Sequence, residues 1–408
     1  MTYMKWAGTK VLLVVFMALA GCSMVTPRHK LNWQSPYRDF SSLEEGDIVH
    51  LPTGVEVSKE ELIEILSAAR IVYVGETHDN IHAHKVQLEI LTALWERDPG
   101  EIAVGMEMLK RSSQDMADQW SSGDLEEKEF VRTWQGDWTN DFEYYEEILR
   151  YLREKKIPLL ALRPPDGWLD KVKEDGSIPQ AGHEAHGLPE MDRDDPYHRA
   201  HTEAVFGRHP KGAQDFEDFY RVQVLWDESM AASIAEYLLT EEGRDKRVVV
   251  FAGGQHVEYG FGIPRRVFRR LPLPYAIVLP TAVLVSPEKR HKLMEVTMPE
   301  IPLSAADFAW MVRYEGLDEQ KVYLGVMVKE GEEGVRIFSI IKNSVAEEAG
   351  LKKEDIITTF DGEPIEATFD LTYTIGRKRP GDKGVLEVLR DEELLRFEVT
   401  FRESHMHR

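Results

Sequence analysis

Four short polar segments of this 408-residue chain hold side chains that can do chemistry. Glu76 and His78 sit in Gly75-Glu76-Thr77-His78-Asp79, and Glu107 sits in Gly105-Met106-Glu107-Met108. Arg163 comes directly after Leu162, and His256 ends Gly253-Gly254-Gln255-His256. Two carboxylates and two imidazoles suit a divalent ion such as Zn, Mn or Fe, with water completing the sphere. A carboxylate beside a bound water also serves as a general base. Glu76, His78, Glu107 and His256 are therefore equally the candidate catalytic residues of a metal-dependent hydrolase. Glycines beside Glu76 and ahead of His256 let the backbone turn sharply or approach a ligand closely. Taken singly, each residue reads as well as a helix cap or a loop anchor. Their convergence is what argues for a site.

That convergence depends on the elements around them. Each segment follows a short apolar run: Ile71 to Val74, Ile102 to Val104, Pro158 to Leu162 and Val248 to Phe251. Ile277 to Leu279 is a fifth run. None shows polar alternation, which is the pattern of strands covered on both faces. Helix-like stretches at Lys85 to Arg97, Asp141 to Lys155 and Phe216 to Leu239 lie between them. The alternation predicts an α/β domain over residues 43–287, with a largely parallel sheet flanked by helices. In such a sheet all four segments emerge at the carboxyl ends of strands, the edge where open α/β folds bind ligands.

Residues 176–211 break the rhythm with Gly, Pro, acids and five histidines, and read as a long loop or irregular helical insertion. His183 with His186, and His198 with His201, have the spacing of a shared helix face that could hold a metal. A solvated, pH-responsive loop containing these four and His209 is the preferred reading. His82 and His84 are two apart in a helix, so at most one joins the site. A connector over 288–321 leads to residues 322–402, which have short strand-like runs, two brief helical stretches and tight turns such as Asp361-Gly362. The net charge of −22 repels phosphate backbones and argues against a nucleic-acid partner.

The first 21 residues run from the positive Lys5 and Lys10 through the apolar Val11 to Ala20, the order of a secretory signal too short to span a bilayer. They close on Leu19-Ala20-Gly21-Cys22, which resembles the lipobox of bacterial lipoproteins. The resemblance implies that Cys22 is acylated and becomes the mature N-terminus. It also implies, with Ser23 following, lipid anchoring at the periplasmic face of the outer membrane. Residues 22–42 then read as a tether. Cys22 is the one cysteine, so no disulfide or thiolate metal site supports the fold.

Two further resemblances cover the rest. Tyr323-Leu324-Gly325-Val326, Asn343 to Leu351, Asp355-Ile356-Ile357 and Asp361-Gly362 resemble a PDZ domain of bacterial envelope proteins. That implies strand addition of a partner's C-terminal peptide, its carboxylate held by the loop Tyr323 to Val326. An internal brace against the first domain is the bland alternative. Val74 to Asp79 with His82 and His84, Gly105 to Met108, Trp138 with Tyr145, Gln223 to Ala231, and Gly254 to Gly260 with Ile263 to Arg266 resemble the ChaN-type haem-binding lipoproteins. These belong to a group that includes Tiki/TraB and erythromycin-esterase-like proteins. The resemblance implies haem or iron binding, with haem held by a tyrosine and often sandwiched in a homodimer. It points to Tyr145, with Tyr144 as rival, beside Trp138. A packing stripe of Trp134, Trp138, Phe142 and Tyr145 fits the same spacing. Arg163 stands where the family pattern has an asparagine, and could pair with a haem propionate. Haem or iron binding is the reading adopted, ahead of a protease- or esterase-like hydrolase and of a scaffold without chemistry.

Overall fold

A computed structural model of the chain describes residues 42–138, 142–174, 188–207, 216–292, 299–317, 321–331 and 334–402. The leader, Cys22 and nearly all of the tether lie outside the described residues, as do His183, His186 and His209. Among the described residues no helix is long and apolar enough to cross a membrane.

Strands β1 (Ile48–His50) and β2 (Val55–Glu56) pair antiparallel. Ser58 then starts α1 (Lys59–Leu66) with a reciprocal cap: its hydroxyl accepts from the Glu61 N–H, and the Glu61 carboxylate accepts from the Ser58 N–H. There follow β3 (Ile71–Glu76), α2 (Ile81–Arg97), β4 (Ile102–Lys110), α3 (Gln114–Ser122), α4 (Glu127–Asp137), α5 (Glu146–Lys155) and β5 (Leu159–Arg163). The domain continues through α6 (Asp166–Glu174), α7 (Pro196–Phe206), α8 (Phe216–Leu239), β6 (Arg247–Gly253), α9 (Ile263–Arg270), β7 (Tyr275–Leu284) and β8 (Phe308–Arg313). The strands form one sheet in the order β2-β1-β8-β7-β3-β6-β4-β5. The run from β8 to β5 is parallel; β1 and β2 close one edge antiparallel.

The apolar runs are buried on both faces. Along β3, Val72 and Val74 enter one core with Val86, Ile90 and Trp120, whereas Ile71 and Tyr73 enter the other with Met230, Ile234 and Ile263. Each such aliphatic side chain contributes about 1.5–3 kcal/mol relative to exposure.

Two elements depart from the expectation. Phe308–Arg313 lies in the stretch that reads as a connector, yet it is a strand, parallel to β7 and antiparallel to β1. Its run Phe-Ala-Trp-Met-Val is as apolar as the others, but no helix-like segment precedes it to announce a βα repeat. The histidine-rich insertion contains α7, where Asp195 accepts from the N–H groups of Tyr197 and His198 and Pro196 sits in the first turn. His198 and His201 are buried, so the solvated-loop reading is wrong for both.

The tail comprises β9 (Val326–Gly331), β10 (Gly334–Ile340), α10 (Val345–Ala349), β11 (Ile356–Phe360), β12 (Glu363–Pro364), α11 (Thr368–Gly376), β13 (Lys383–Arg390) and β14 (Glu393–Thr400). Its antiparallel sheet runs β14-β13-β11-β10-β9, with β12 beside β11 and β9 on the edge. Val335, Ile337, Phe360, Leu386 and Phe401 give it a core of its own.

Residues 43–408 nevertheless form one contact unit. Helix α11 is clamped to α4. Asp370 meets Lys128 at 2.8 Å and Arg132 at 3.3 Å, while Glu127 pairs with Arg377 and accepts from the Tyr373 hydroxyl. The Arg132 guanidinium also lies over the Phe369 ring at 4.7 Å. Burial pushes the Glu127 carboxyl up, but Arg377 and Arg150 hold it below its ordinary value. Burial likewise acts against Asp370, and Lys128 with the Ala367 N–H hold it down. Depressed carboxyl values stabilise the folded contact above the unfolded range, and that contribution is lost as pH falls through the folded values. Acidification through the carboxylate range should therefore weaken the clamp between α11 and α4. Hydrogen exchange should show α11 amides losing protection ahead of β4 amides, and parallel loss in both would refute this.

Candidate functional site

The parallel register brings the four segments together. Since β3, β6, β4 and β5 are consecutive neighbours, their carboxyl ends place Glu76, the Gly254–His256 turn, Glu107 and Arg163 along one edge. Glu76 and Arg163 are the last residues of their strands, and Glu107 lies inside β4, not after it.

Glu76 is a buried carboxylate with a full set of donors. One oxygen accepts from the Tyr145 hydroxyl at 2.5 Å and lies 2.7 Å from His78 Nδ1. The other accepts from the Gln87 amide at 2.7 Å and lies 3.5 Å from His84 Nδ1. Burial alone would raise its pKa, but His84, His78 and Tyr145 hold it below the ordinary value. His78 is opposed by burial yet raised to about 9, through its hydrogen bond to Glu76 and the field of Glu107.

His256 repeats the arrangement. Its Nδ1 lies 2.7 Å from Asp227, and its Nε2 faces Glu107 at 3.6 Å. Burial disfavours its charge, but Glu107 and Asp227 raise its pKa. Asp227, on α8, is held ionised against burial by His256, His198 and Arg266. Its second oxygen lies 3.2 Å from His198 Nε2, which ties α7 to the site. Glu107 accepts from the Gly253 N–H at 2.7 Å. A Cβ on Gly253 would stand 3.0 Å from His78 Nε2 and 3.5 Å from Glu107 Oε2, so this glycine lets the two groups approach the β6 backbone.

Arg163 is buried, its guanidinium between Trp138 at 5.2 Å and Trp226 at 5.4 Å. Trp138 meets the His78 ring edge-on at 4.9 Å, and Trp226 stacks parallel to His256 at 6.0 Å. Among the described residues Arg163 forms no ion pair. Lys110 engages the nearby Asp137 and Asp166 instead. Burial depresses the Arg163 pKa, against the more distant fields of Asp137, Glu107 and Asp166.

The two tyrosines lie in different surroundings. Tyr145 is fully buried against Trp134 and His84 at the start of α5, and burial with Glu76 pushes its phenol well above the ordinary value. A tyrosinate ligand needs the opposite shift. Tyr144 accepts from the Leu317 N–H at 2.9 Å. Trp138 and Tyr145 do not share one helix: Trp138 caps α4 and Tyr145 precedes α5. The expected metal set is gathered but not arranged as a coordination sphere. Among the described residues no three His, Asp or Glu side chains are placed to hold one ion.

His84 joins the site through Glu76, while His82 turns away to Glu315 at 3.1 Å. His198 and His201 do not pair with each other, since His201 goes to Glu258 at 3.1 Å. Sequence reasoning missed Asp227, Trp226 and Gln87 as site residues. The signal was present for Asp227 and Glu228, two acids in the buried centre of α8 between Leu225 and Met230.

In the tail, Tyr323 is exposed, Leu324 is buried and Gly325 has φ +82°, where a Cβ would collide with Ser344. The loop leads directly into edge strand β9, which lies beside α11.

This fold defines an α/β domain with a polar cluster at the carboxyl edge of its parallel strands, joined to a small antiparallel β-rich tail. A family model described as haem-binding uptake, Tiki superfamily, ChaN matches residues 62–267, and a PDZ domain model matches residues 322–401. The chain belongs to the ChaN haem-binding family and carries a PDZ domain. It is similar to ChaN of Campylobacter jejuni, a structure described as showing cofacial haem binding. The two are 18% identical with a TM-score of 0.51, over 67% of this chain and 100% of that one. It is also similar to Protein RETICULATA-RELATED 5, chloroplastic, of Arabidopsis thaliana, 24% identical over 66% of this chain and 38% of that protein. A probable periplasmic serine endoprotease DegP-like protein of Chlamydia muridarum is 25% identical over 48% of this chain and 34% of its own length. The chain thus spans little more than a third of these two curated relatives.

The hydrogen bond from Tyr145 to a buried carboxylate assigns that hydroxyl a structural duty. Tyr145→Phe should lower stability in urea denaturation by about 1–3 kcal/mol, the usual cost of leaving a buried acceptor short of a donor. A variant as stable as the native chain would sink this assignment.

Proposed function

We propose that the chain is a lipid-anchored envelope protein that holds haem at the carboxyl edge of its parallel sheet, while its tail recruits a partner protein by its C-terminus. Membership of the ChaN family supports haem. The single observation that carries the placement is Arg163, a buried cation between two indole faces with no ion pair among the described residues. A flat, anionic cofactor fits that chemistry: the guanidinium takes a propionate carboxylate, and Trp138 offers apolar contact to the ring system.

The donor set fits haem with one change from the family expectation. His78, not Tyr145, is the donor that reaches the surface, with 35% of its side chain exposed and its Nδ1 held by Glu76. A carboxylate on the distal nitrogen fixes the orientation of an imidazole ligand and strengthens it. Bound haem would supply redox-active iron. The protein's own part is to orient His78 through Glu76 and to offer positive charge at Arg163. The hydrolase reading needs Glu76, His78, Glu107 and His256 to share an ion, and their pairing with Tyr145, Asp227 and the Gly253 N–H weighs against it. The cofacial haem of the Campylobacter jejuni relative supports a second copy facing the first across the cofactor.

The test is a haem titration of the chain beginning at Ser23, followed by the Soret band. Wild type should saturate, and Arg163→Gln should bind about tenfold or more weakly. His78→Ala should change the spectrum of bound haem, and Tyr145→Phe should leave it unchanged. Absence of saturable binding would overturn the haem reading. Loss of the native spectrum in Tyr145→Phe alone would return the iron to that tyrosine.

A further inference from the structure

The tail's peptide groove does not open to solvent alone. Between the Tyr323 to Val326 loop with β9 on one side and α11 on the other lies a cavity of about 880 Å³, and its further wall belongs to the first domain. That wall includes Val131 and Gln135 of α4, with Trp138 and Phe142 beyond it. Strand β9 is the open edge of its sheet, and among the described residues no strand pairs with its outer side. The floor is aliphatic, formed by Leu324, Val326, Leu371 and Ile375. The α4–α11 clamp fixes the separation of the two walls.

Trp138 stands at both sites. It lines this cavity, packs edge-on against His78 and covers one face of Arg163. We infer that the first domain is part of the peptide site, so that a protein C-terminus with an aliphatic last residue, added as a strand to β9, bears on Trp138 and through it on the carboxyl-edge site. The occupant follows from the cavity: an unpaired strand edge calls for extended backbone, and the aliphatic floor calls for a branched terminal side chain. Coupling follows from the shared indole, since a contact that shifts Trp138 changes the packing of His78 and Arg163 together. Binding at the two places is then reciprocal.

The inference rests on the proposed peptide role of the tail, and the test separates the two. Labelled peptides ending in valine or leucine with a free carboxylate, and their C-terminal amides, are titrated by fluorescence anisotropy into the chain beginning at Ser23. ¹⁵N-histidine spectra are recorded alongside, with His78 assigned through His78→Gln. The carboxylate peptides should bind, the amides should not, and the His78 ring nitrogens should shift on saturation without any haem present. Gln135→Trp, an exposed position on the first-domain wall, should weaken peptide binding about fivefold or more and diminish the His78 shift in step. Peptide binding that leaves His78 unmoved and is indifferent to Gln135→Trp would overturn the inference while leaving the tail a peptide binder. Failure of every carboxylate peptide to bind would overturn both.

Discussion

The structure turns on keeping one charge inside it. Glu76 ends a central strand in a place that excludes water, and an isolated buried carboxylate is too costly to stay ionised. It is kept charged by groups from three elements: the Gln87 amide and the nearby His84 ring from α2, Tyr145 ahead of α5, and His78 from the loop after β3. Each group fixes the element that carries it. Tyr145 in turn packs on Trp134, which sets α4 against α5 and so places Trp138. The aromatic wall of the site is therefore a consequence of how its central carboxylate is satisfied.

Asp227 does the same for the other half. It too is a buried acid paired with the Nδ1 of an imidazole, and it too borrows partners from a distant segment, here His198 of α7 and Arg266 of α9. Two carboxylate–imidazole pairs thus flank Glu107, each with a tryptophan against its ring. The pairing raises both histidines above their ordinary value, against the burial that opposes it. With Glu76, Asp227 and Glu107 each engaged in this way, the described residues leave no set of side chains placed to share a divalent ion.

Much of this is legible in the sequence. Apolar runs without alternation gave the buried parallel strands, because burial on both faces leaves no room for polar periodicity. The position of Glu76, His78, Arg163 and His256 at or after strand ends followed from topology alone. What stayed hidden was long-range pairing. Phe308–Arg313 carries a strand's composition but no local sign that it returns to β1 and β7. Nothing near Tyr145 in sequence tells that its oxygen faces Glu76, 69 positions earlier, instead of a ligand. His198 reads as a solvated histidine because its partner, Asp227, lies across a segment with no periodic signal.

Arg163 brings these points together. A buried guanidinium without an ion pair is a cost that neither indole face fully offsets, since cation–π contact recovers only a few kcal/mol at most. The neighbouring acids relieve it only from a distance: Lys110 has engaged Asp137 and Asp166, and Glu107 accepts from the Gly253 N–H. Local structure has no use for this cation, because Met or Leu between two tryptophans would pack as well at no desolvation cost. The group proposed to arrive from outside with negative charge would offset that cost. The tail's groove is walled by the domain it follows, and the indole that covers one face of Arg163 also lines that groove.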